Sequence, residues 1–209
     1  MLATLTLLAA TALPMSPTEF ARIGGSVSTV NGSRLIGEGT RQGYRGTAIA
    51  LDLEAMRFPS EYAGFEIGLL WGGTSVPWGN KATTYRLEGA LDAVLFASPR
   101  GSVIVGLGPG LETGDRLWWS PNGIRGNVGG LLRTRLFPAR DVAIHANARL
   151  DLFATGDLAS RTLRSELLFG WALGMVGVHW TRTWISGGAP NRTYLDDQLG
   201  VSISLGIHG

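Results

Sequence analysis

The segment that decides the fold is Val142-Ala143-Ile144-His145-Ala146-Asn147-Ala148-Arg149-Leu150-Asp151-Leu152, in which small or aliphatic side chains alternate with polar ones. Residues 65–71, Phe-Glu-Ile-Gly-Leu-Leu-Trp, follow the same period of two. Successive side chains of a strand point to opposite faces, so each such segment predicts a strand with one apolar and one polar face. The pattern recurs about ten times, which predicts an all-β protein.

The candidate strands and their connectors predict an antiparallel meander. Tight turns occur at 59–61, 98–101 and 138–141, whereas the connectors at 73–82, 113–123 and 185–196 are longer. Short turns at one end and long loops at the other describe a single up-and-down barrel over residues 19–209, with both termini at the short-turn end. Ten strands are predicted, and eight remain an alternative if one hairpin is a loop. The predicted strands are 20–30, 44–58, 62–72, 83–97, 102–112, 124–137, 142–153, 162–172, 175–185 and 197–208.

The N-terminal residues resemble a secretory signal. Residues 2–13 form a short apolar run in which Ala10-Thr11-Ala12 precedes Pro14, the pattern of a cleavage site. We therefore predict a signal peptide over residues 1–18 and export to the outer membrane. The chain has no apolar run of about 20 residues, so no transmembrane helix is expected.

Composition excludes several classes of protein. Cysteine is absent, so the chain can form neither a disulfide framework nor a thiolate metal site. The net charge of +2 is too small for a nucleic-acid-binding footprint. No nucleic-acid partner is therefore expected.

The polar face of the strands is made largely of small residues rather than of the lysine, glutamate and threonine that a soluble sheet presents to water. Glycine inside a strand marks the close approach of another group, and the opposite face carries large aliphatic side chains with almost no charge. We therefore predict a transmembrane β-barrel with the aliphatic face toward lipid and the glycine face toward the lumen. The small residues are Gly64, Gly68, Gly106, Gly108, Gly110, Gly129, Gly200, Ser202, Ser204 and Gly206.

Charged side chains share the glycine face, and this predicts a lumen filled by ion pairs. Directly opposed residues of a hairpin have a constant sum of residue numbers, and a sum of 237 sets Glu112 against Arg125. A sum of 74 likewise sets Arg22 against Asp52. A sum of 315 pairs Asp151 with Arg164 and Arg149 with Glu166. Opposed charges are favourable on one face, and buried ones need a partner. The predicted lumen network comprises Arg22, Asp52, Glu54, Glu66, Arg86, Glu88, Asp92, Glu112, Arg125, Arg133, Arg149, Asp151, Arg164 and Glu166.

One predicted pair has like charges, because a sum of 120 sets Glu54 against Glu66. Two facing carboxylates are a candidate proton-handling or cation site. The preferred interpretation is that Arg86 neutralises both carboxylates, or that the register differs by two.

Aromatic residues fall near both ends of the predicted strands, as expected for belts at two bilayer interfaces. The short-turn belt comprises Phe58, Tyr62, Phe96, Phe137, Phe169 and Trp171, and the long-loop belt comprises Trp71, Trp78, Tyr85, Trp118, Trp119, Phe153, Trp184 and Tyr194.

No motif indicates chemistry. The glycine-rich segment 106–110 leads into a loop and a strand rather than a helix, so it does not predict a phosphate site. The three histidines lie on different strands without ligand spacing, and no catalytic residue, cofactor or metal is assigned. His179, with Thr181 and Thr183 on its face, is the one candidate for a hydrolase at the long-loop rim; the preferred interpretation is a hydrogen-bonded lumen residue.

Residues 20–209 resemble the small outer-membrane β-barrel proteins of Gram-negative bacteria, the group containing OmpA-like, OmpX-like and OmpW-like barrels. The resemblance implies an integral outer-membrane protein in contact with the lipid bilayer. We expect no enzymatic activity, but a structural or surface-interaction role through the long loops toward a protein or small-molecule partner. A narrow channel for small or apolar solutes and a rim hydrolase are the alternatives. A soluble calycin-like carrier is the remaining one.

Overall fold

A computed structural model describes residues 20–36, 40–75, 81–114, 124–139, 141–155, 158–171, 174–187 and 194–208. Ten strands account for most of these residues: β1 (Phe20–Ile36), β2 (Thr40–Arg57), β3 (Ala63–Ser75), β4 (Lys81–Ser98), β5 (Gly101–Gly114), β6 (Ile124–Ala139), β7 (Val142–Thr155), β8 (Leu158–Trp171), β9 (Gly174–Gly187) and β10 (Tyr194–His208). The described ranges contain no helix long and apolar enough to cross a membrane. Residues 1–19 lie outside them, so the proposed signal peptide remains a prediction.

The strands close into one antiparallel barrel. Each strand pairs with its neighbours in the chain, and β1 closes the ring by pairing with β10 from Phe20–His208 to Arg34–Tyr194. The predicted ten-stranded up-and-down barrel is confirmed, and the eight-stranded alternative is wrong. Because Phe20 and His208 are partners, β1 begins and β10 ends at the short-turn end, as predicted.

The barrel wall is inverted relative to that of a soluble protein. Outward-facing Leu107 and Val201 are 63% and 58% exposed, whereas lumen-facing Arg135 and Asp151 are 0% and 4% exposed. The alternation of β6 is typical, with outward residues exposed and inward residues buried along most of its length. Aliphatic side chains therefore form the outer surface and charged side chains fill the interior.

The strands at the long-loop end extend further than predicted. β1 continues to Ile36 instead of residue 30, and β7 and β8 are separated only by residues 156–157. Asn31, Gly32 and Ser33 lie beyond the predicted end of this strand, yet all three are paired with both β2 and β10. Ladder hydrogen bonds satisfy their backbone groups, so polar side chains do not prevent the strand from continuing. The longer connectors at this end are 76–80, 115–123 and 188–193.

The predicted registers are partly corrected. Glu112 is the partner of Arg125, so the sum of 237 is confirmed. The other three hairpins are shifted by two: Arg22 lies opposite Glu54, Arg149 opposite Arg164, and Glu54 opposite Gly68. A shift of two keeps every side chain on its own face, so face polarity alone cannot distinguish these registers.

Candidate functional site

The lumen is the most distinctive site of the barrel, because a connected network of ion pairs crosses it. Its members come from all of the first eight strands, and each arginine contacts at least one carboxylate. The arginines are Arg22, Arg86, Arg125, Arg133, Arg149 and Arg164, and the carboxylates are Asp52, Glu54, Glu66, Glu88, Glu112, Asp151 and Glu166.

Arg133 joins the two sides of the lumen at the place where like charges were predicted to meet. Its guanidinium on β6 contacts Glu54 on β2 and lies 2.6 Å from the carboxylate of Glu66 on β3. Arg149 also approaches Glu66, at 3.5 Å. The hypothesis that Arg86 neutralises these carboxylates is wrong, because Arg86 instead pairs with Glu112 at 2.8 Å.

A second cluster lies between β4, β7 and β8. Arg164 contacts Glu88 and lies 2.6 Å from Asp151, while Arg149 lies 2.8 Å from the other oxygen of Asp151. The predicted Asp151–Arg164 contact therefore exists as a diagonal pair despite the corrected register. Removing one member would leave a partner buried without its counter-charge, which is strongly unfavourable.

Arg22 anchors the network at the short-turn half of β1. Its Nε lies 2.9 Å from Glu54 and 3.2 Å from Asp52, and its Nη1 lies 2.7 Å from Glu166 on β8. Toward the long-loop end of the network, Arg125 on β6 contacts Glu112 and donates a hydrogen bond to the Ser160 hydroxyl at 3.0 Å.

Lumen glycines provide the space that these side chains occupy. A Cβ at Gly129 would lie 2.2 Å from Asp151 Oδ1 and 2.7 Å from Arg149 Nε. A Cβ at Gly106 would lie 2.2 Å from Asp92 Oδ1. Gly106 and Gly129 are therefore places where charged side chains cross the lumen.

Asp92 is the one predicted network member that forms no ion pair with another described residue. It faces the lumen on β4 and is 4% exposed. Neither carboxylate oxygen has a hydrogen-bond partner among the described residues.

An apolar cluster lies in the lumen at the short-turn end, and the sequence interpretation missed it. The lumen-facing side chains of Phe20, Met56, Ile104, Leu168 and Met175 come from five strands around the ring, and each is at most 4% exposed. These positions lie on the same face of their strands as the charged residues; they have the same parity, that is, along a strand their numbers differ from those of the charged residues by an even number. The signal in the sequence was therefore the presence of hydrophobic residues on the polar face near the short turns. We call this group the apolar plug.

Two charged or titratable groups border the apolar plug. The Arg135 guanidinium lies 4.6 Å from the centre of the Phe20 ring, and its Nη2 lies 3.5 Å from the Met56 sulfur. The His145 ring lies 5.0 Å from the Phe20 ring and 6.4 Å from the Phe137 ring. Aromatic faces and sulfur are weak partners for a cation, but they allow it to pack tightly in an apolar setting.

A cavity of about 280 Å³ lies among the network residues and continues toward the long-loop end. The walls are rich in hydroxyl groups, and the lining also includes network arginines and carboxylates. The hydroxyl-bearing lining residues are Ser26, Ser28, Thr74, Thr84, Ser165, Thr181, Thr183 and Ser202.

His179, the candidate for a rim hydrolase, lies in the lumen wall beside this cavity. Its cross-strand partner is Glu166, a member of the ion-pair network, and Thr181 and Thr183 follow it on the same face. The described residues contain no group of three or more His, Asp or Glu side chains that could hold a metal ion. No nucleophile is joined to His179 by a hydrogen bond in the described part of the chain.

The predicted aromatic belts are divided between the two faces. Tyr62, Phe96, Phe169 and Trp171 are exposed at the short-turn end, and Trp71, Tyr85 and Trp184 are exposed toward the long-loop end. Trp78, Trp118 and Trp119 lie outside the described residues, as does the side chain of Tyr194.

Three predicted belt residues belong to the lumen side instead. Phe58 packs against the apolar plug, Phe137 contacts His145, and Phe153 has the parity of Arg149 and Asp151. The prediction considered only their height along the strand, whereas parity decides which face a residue occupies.

Comparisons with known proteins concern the fold alone. The sequence matches no protein-family model and no curated protein. Among solved structures, the chain is similar to the outer membrane protein OprG from Pseudomonas aeruginosa, with 10% identity over 93% of this chain and 98% of that chain and a TM-score of 0.44.

Two further structures are similar over comparable lengths. The outer membrane protease OmpT from Escherichia coli has 9% identity over 94% of this chain and 99% of that chain, with a TM-score of 0.47. An outer membrane channel from Pseudomonas putida F1 has 12% identity over 94% and 97%, with a TM-score of 0.45.

Proposed function

We propose that the chain is an integral outer-membrane β-barrel with a closed lumen, which acts as a structural or surface-interaction element through its long-loop end. The observation that carries this proposal is the filled lumen. The ion-pair network crosses the middle of the barrel, and the apolar plug occupies its short-turn end. A barrel of this size leaves little interior beyond what side chains can fill.

The membrane location rests on the inverted wall. Leu91, Ile203 and Leu205 are 77%, 69% and 63% exposed on the outer surface, while Glu66 and Arg133 are buried inside. An outer surface this apolar is unfavourable in water, whereas lipid accepts it. A soluble calycin-like carrier would bury these aliphatic residues around its ligand instead.

Cell fractionation with heat-modifiability on a gel tests the membrane location. We expect the protein in the outer-membrane fraction, with a faster-migrating folded form that disappears on boiling. Recovery in the soluble fraction without a mobility change would refute the membrane proposal.

Planar bilayer recording tests whether the lumen is closed. Heat-modifiability in lipid vesicles first verifies that the protein inserts. We then expect no stable conductance from the unmodified protein in the planar bilayer. Steady ion conductance from the inserted barrel would refute closure and favour the second candidate.

That second candidate is a narrow channel for small solutes, and the cavity of about 280 Å³ in the lumen favours it. A channel through the network would pass Arg149 and Arg164, which line this cavity. It predicts a conductance that changes when either arginine is replaced by glutamine. The closed barrel predicts that both variants remain silent.

The export signal is part of this proposal. Residues 1–18 carry the pattern that suggests cleavage, and β1 begins at Phe20, immediately beyond them. N-terminal sequencing of protein recovered from the outer membrane tests this assignment. We expect the mature chain to start between about residue 13 and residue 19, and retention of Met1 would contradict it.

A further inference from the structure

Charged side chains on the outer wall are few and unevenly placed. Among strand residues whose side chains are described, the outward-facing charges are Arg45, Arg57, Arg161, Arg182 and Asp197. Arg57 lies alone near the short-turn end of β2. The other four lie at the long-loop end of β2, β8, β9 and β10, a sector in which only β1 separates β10 from β2.

These four residues form a continuous surface with two tryptophans. Arg182 is the cross-strand partner of Asp197, which lies opposite Asn31, which in turn lies opposite Arg45. Neighbouring strands are about 4.8 Å apart, so the sector from β8 to β2 is roughly 19 Å wide. We call this surface the rim patch, and it comprises Arg45, Arg161, Trp180, Arg182, Trp184 and Asp197.

Arg182 contacts a carboxylate and two tryptophan rings at the centre of the rim patch. Arg182 forms two hydrogen bonds to the Asp197 carboxylate, at 2.5 and 2.8 Å. Its guanidinium also lies 5.3 Å from the Trp180 ring and 5.6 Å from the Trp184 ring. Tryptophan is enriched where membrane proteins meet the lipid headgroups, so the rim patch has the residue composition of a surface at that level of the bilayer.

The spacing along β2 supports the same position. Arg45 and Arg57 are separated by twelve residues, which is about 41 Å of strand at ~3.4 Å per residue. A tilt of about 40° reduces this to roughly 31 Å along the barrel axis, close to the ~30 Å hydrocarbon core. The uncharged outward residues between them are Thr47, Ile49, Leu51, Leu53 and Ala55.

The rim patch has an excess of positive charge. It contains three arginines and one carboxylate, and that carboxylate is already bound to Arg182. Arg45 and Arg161 are exposed, and no ion pair joins either of them to another described residue. Guanidinium groups at a lipid interface are complementary to phosphate, which they bind through two parallel hydrogen bonds.

We propose that the rim patch binds the phosphate-bearing headgroup of an anionic lipid in the leaflet on the long-loop side. Arg45 and Arg161 supply the charge, and Arg182 with the two tryptophans supplies an aromatic surface between them. The inference rests on the proposed membrane location, since only a lipid-inserted barrel brings this surface to headgroups. It adds a lipid ligand that a closed structural barrel does not require.

Lipid retention by the purified barrel tests the proposal. The full chain is refolded in neutral detergent and titrated with phosphatidylglycerol or with zwitterionic phosphatidylcholine, and bound lipid is counted by native mass spectrometry. We expect preferential retention of phosphatidylglycerol. The double variant Arg45→Gln/Arg161→Gln should weaken it by about 25-fold, or about fivefold per arginine at ~1 kcal/mol each.

Arg57→Gln is the matched control, because it makes the same change at an exposed outward position of β2 far from the rim patch. Equal weakening by Arg57→Gln, no weakening by the double variant, or no lipid preference in the unmodified protein would each overturn the proposal. Heat-modifiability of the same proteins in phosphatidylcholine vesicles separates the two failures. A barrel that does not insert there refutes the membrane location, whereas one that inserts without lipid preference refutes only the rim patch.

Discussion

At the scale of single residues, Arg133 is a buried arginine that bridges two carboxylates across the lumen. It is 8% exposed and contacts carboxylates from two neighbouring strands on the other side of the lumen. Without it, Glu54 and Glu66 would remain close together with part of their counter-charge removed. The cost of a lost partner in a buried network is several times larger than that of a lost surface pair.

Arg133→Gln is therefore expected to destabilise the barrel by about 3–5 kcal/mol. The measurement is urea unfolding in detergent micelles, followed by loss of the faster-migrating folded form. Adding Glu54→Gln and Glu66→Gln to this variant should restore part of the lost stability, because no uncompensated carboxylate then remains at this point. A loss no larger than that of the outward variant Arg57→Gln would show that Arg133 is not needed to balance the lumen charge.

Adjacent glycines of β6 provide a second comparison at this scale. A methyl group at Gly129 would meet Asp151 and Arg149, whereas one at Gly130 meets nothing within 4 Å. Overpacking of this kind costs about 1–3 kcal/mol, and we expect that loss for Gly129→Ala. Gly130→Ala should be neutral or slightly stabilising, since alanine loses less backbone entropy on folding than glycine. Equal unfolding midpoints for the two variants would contradict the close packing around Gly129.

At the scale of strands, sequence alternation was sufficient for the number of strands, their order and the face of most side chains. It was not sufficient for register, because the Arg22 and Arg149 hairpins differ from the prediction by two residues while every side chain keeps its face. Strand ends were also underestimated, since Asn31 and Gly32 pair in the ladder beyond the predicted end of β1 at residue 30. Periodicity reports which face is buried, whereas strand length and register depend on backbone pairing.

The lumen was predictable in composition but not in connectivity. Glycine and charge on one parity indicated a packed, charged interior. The contact of Arg133 with Glu54 joins β6 to β2, which are not neighbours in the barrel. Hairpin arithmetic compares only adjacent strands, so it could not find such a contact. It also gave no reason to expect Phe20 and Met175 to pack together on the polar face.

Strand β2 offers a direct test of which face meets lipid. Leu51 is outward-facing, 51% exposed and midway between Arg45 and Arg57. Leu51→Arg is expected to cost about 2–4 kcal/mol in vesicles, as for arginine at the bilayer midplane. Thr47→Arg, also outward but close to the long-loop end, should cost only about 0–1 kcal/mol. Equal unfolding free energies for the two variants would indicate that this face is not embedded in lipid.

At the scale of the whole molecule, the closed lumen that we propose would have two closures in series. The apolar plug lies at the short-turn end and involves five strands, while the ion-pair network lies nearer the middle and involves eight. The closures differ in chemistry, because the plug excludes ions by being apolar and the network fills space with paired charges. A path for ions through the lumen must pass both.

Serial closure predicts how conductance depends on combined substitutions. Phe20→Ala/Met56→Ala/Met175→Ala removes most of the plug. Glu54→Ser/Glu66→Ser/Arg133→Ser/Glu88→Ser/Arg164→Ser removes the bridges from β6 to β2 and β3 and from β8 to β4, and it removes both members of each of these ion pairs. We refer to these as the plug variant and the bridge variant, and to their union as the combination. The plug variant and the bridge variant should each remain silent in planar bilayers, since the other closure is intact, whereas the combination should conduct. Insertion of all three proteins is checked by heat-modifiability, and Gly130→Ala serves as a control for the substitution of an outward residue. Conductance from the plug variant or the bridge variant alone would mean that a single closure seals the lumen, because two barriers in series open a path only when both are removed.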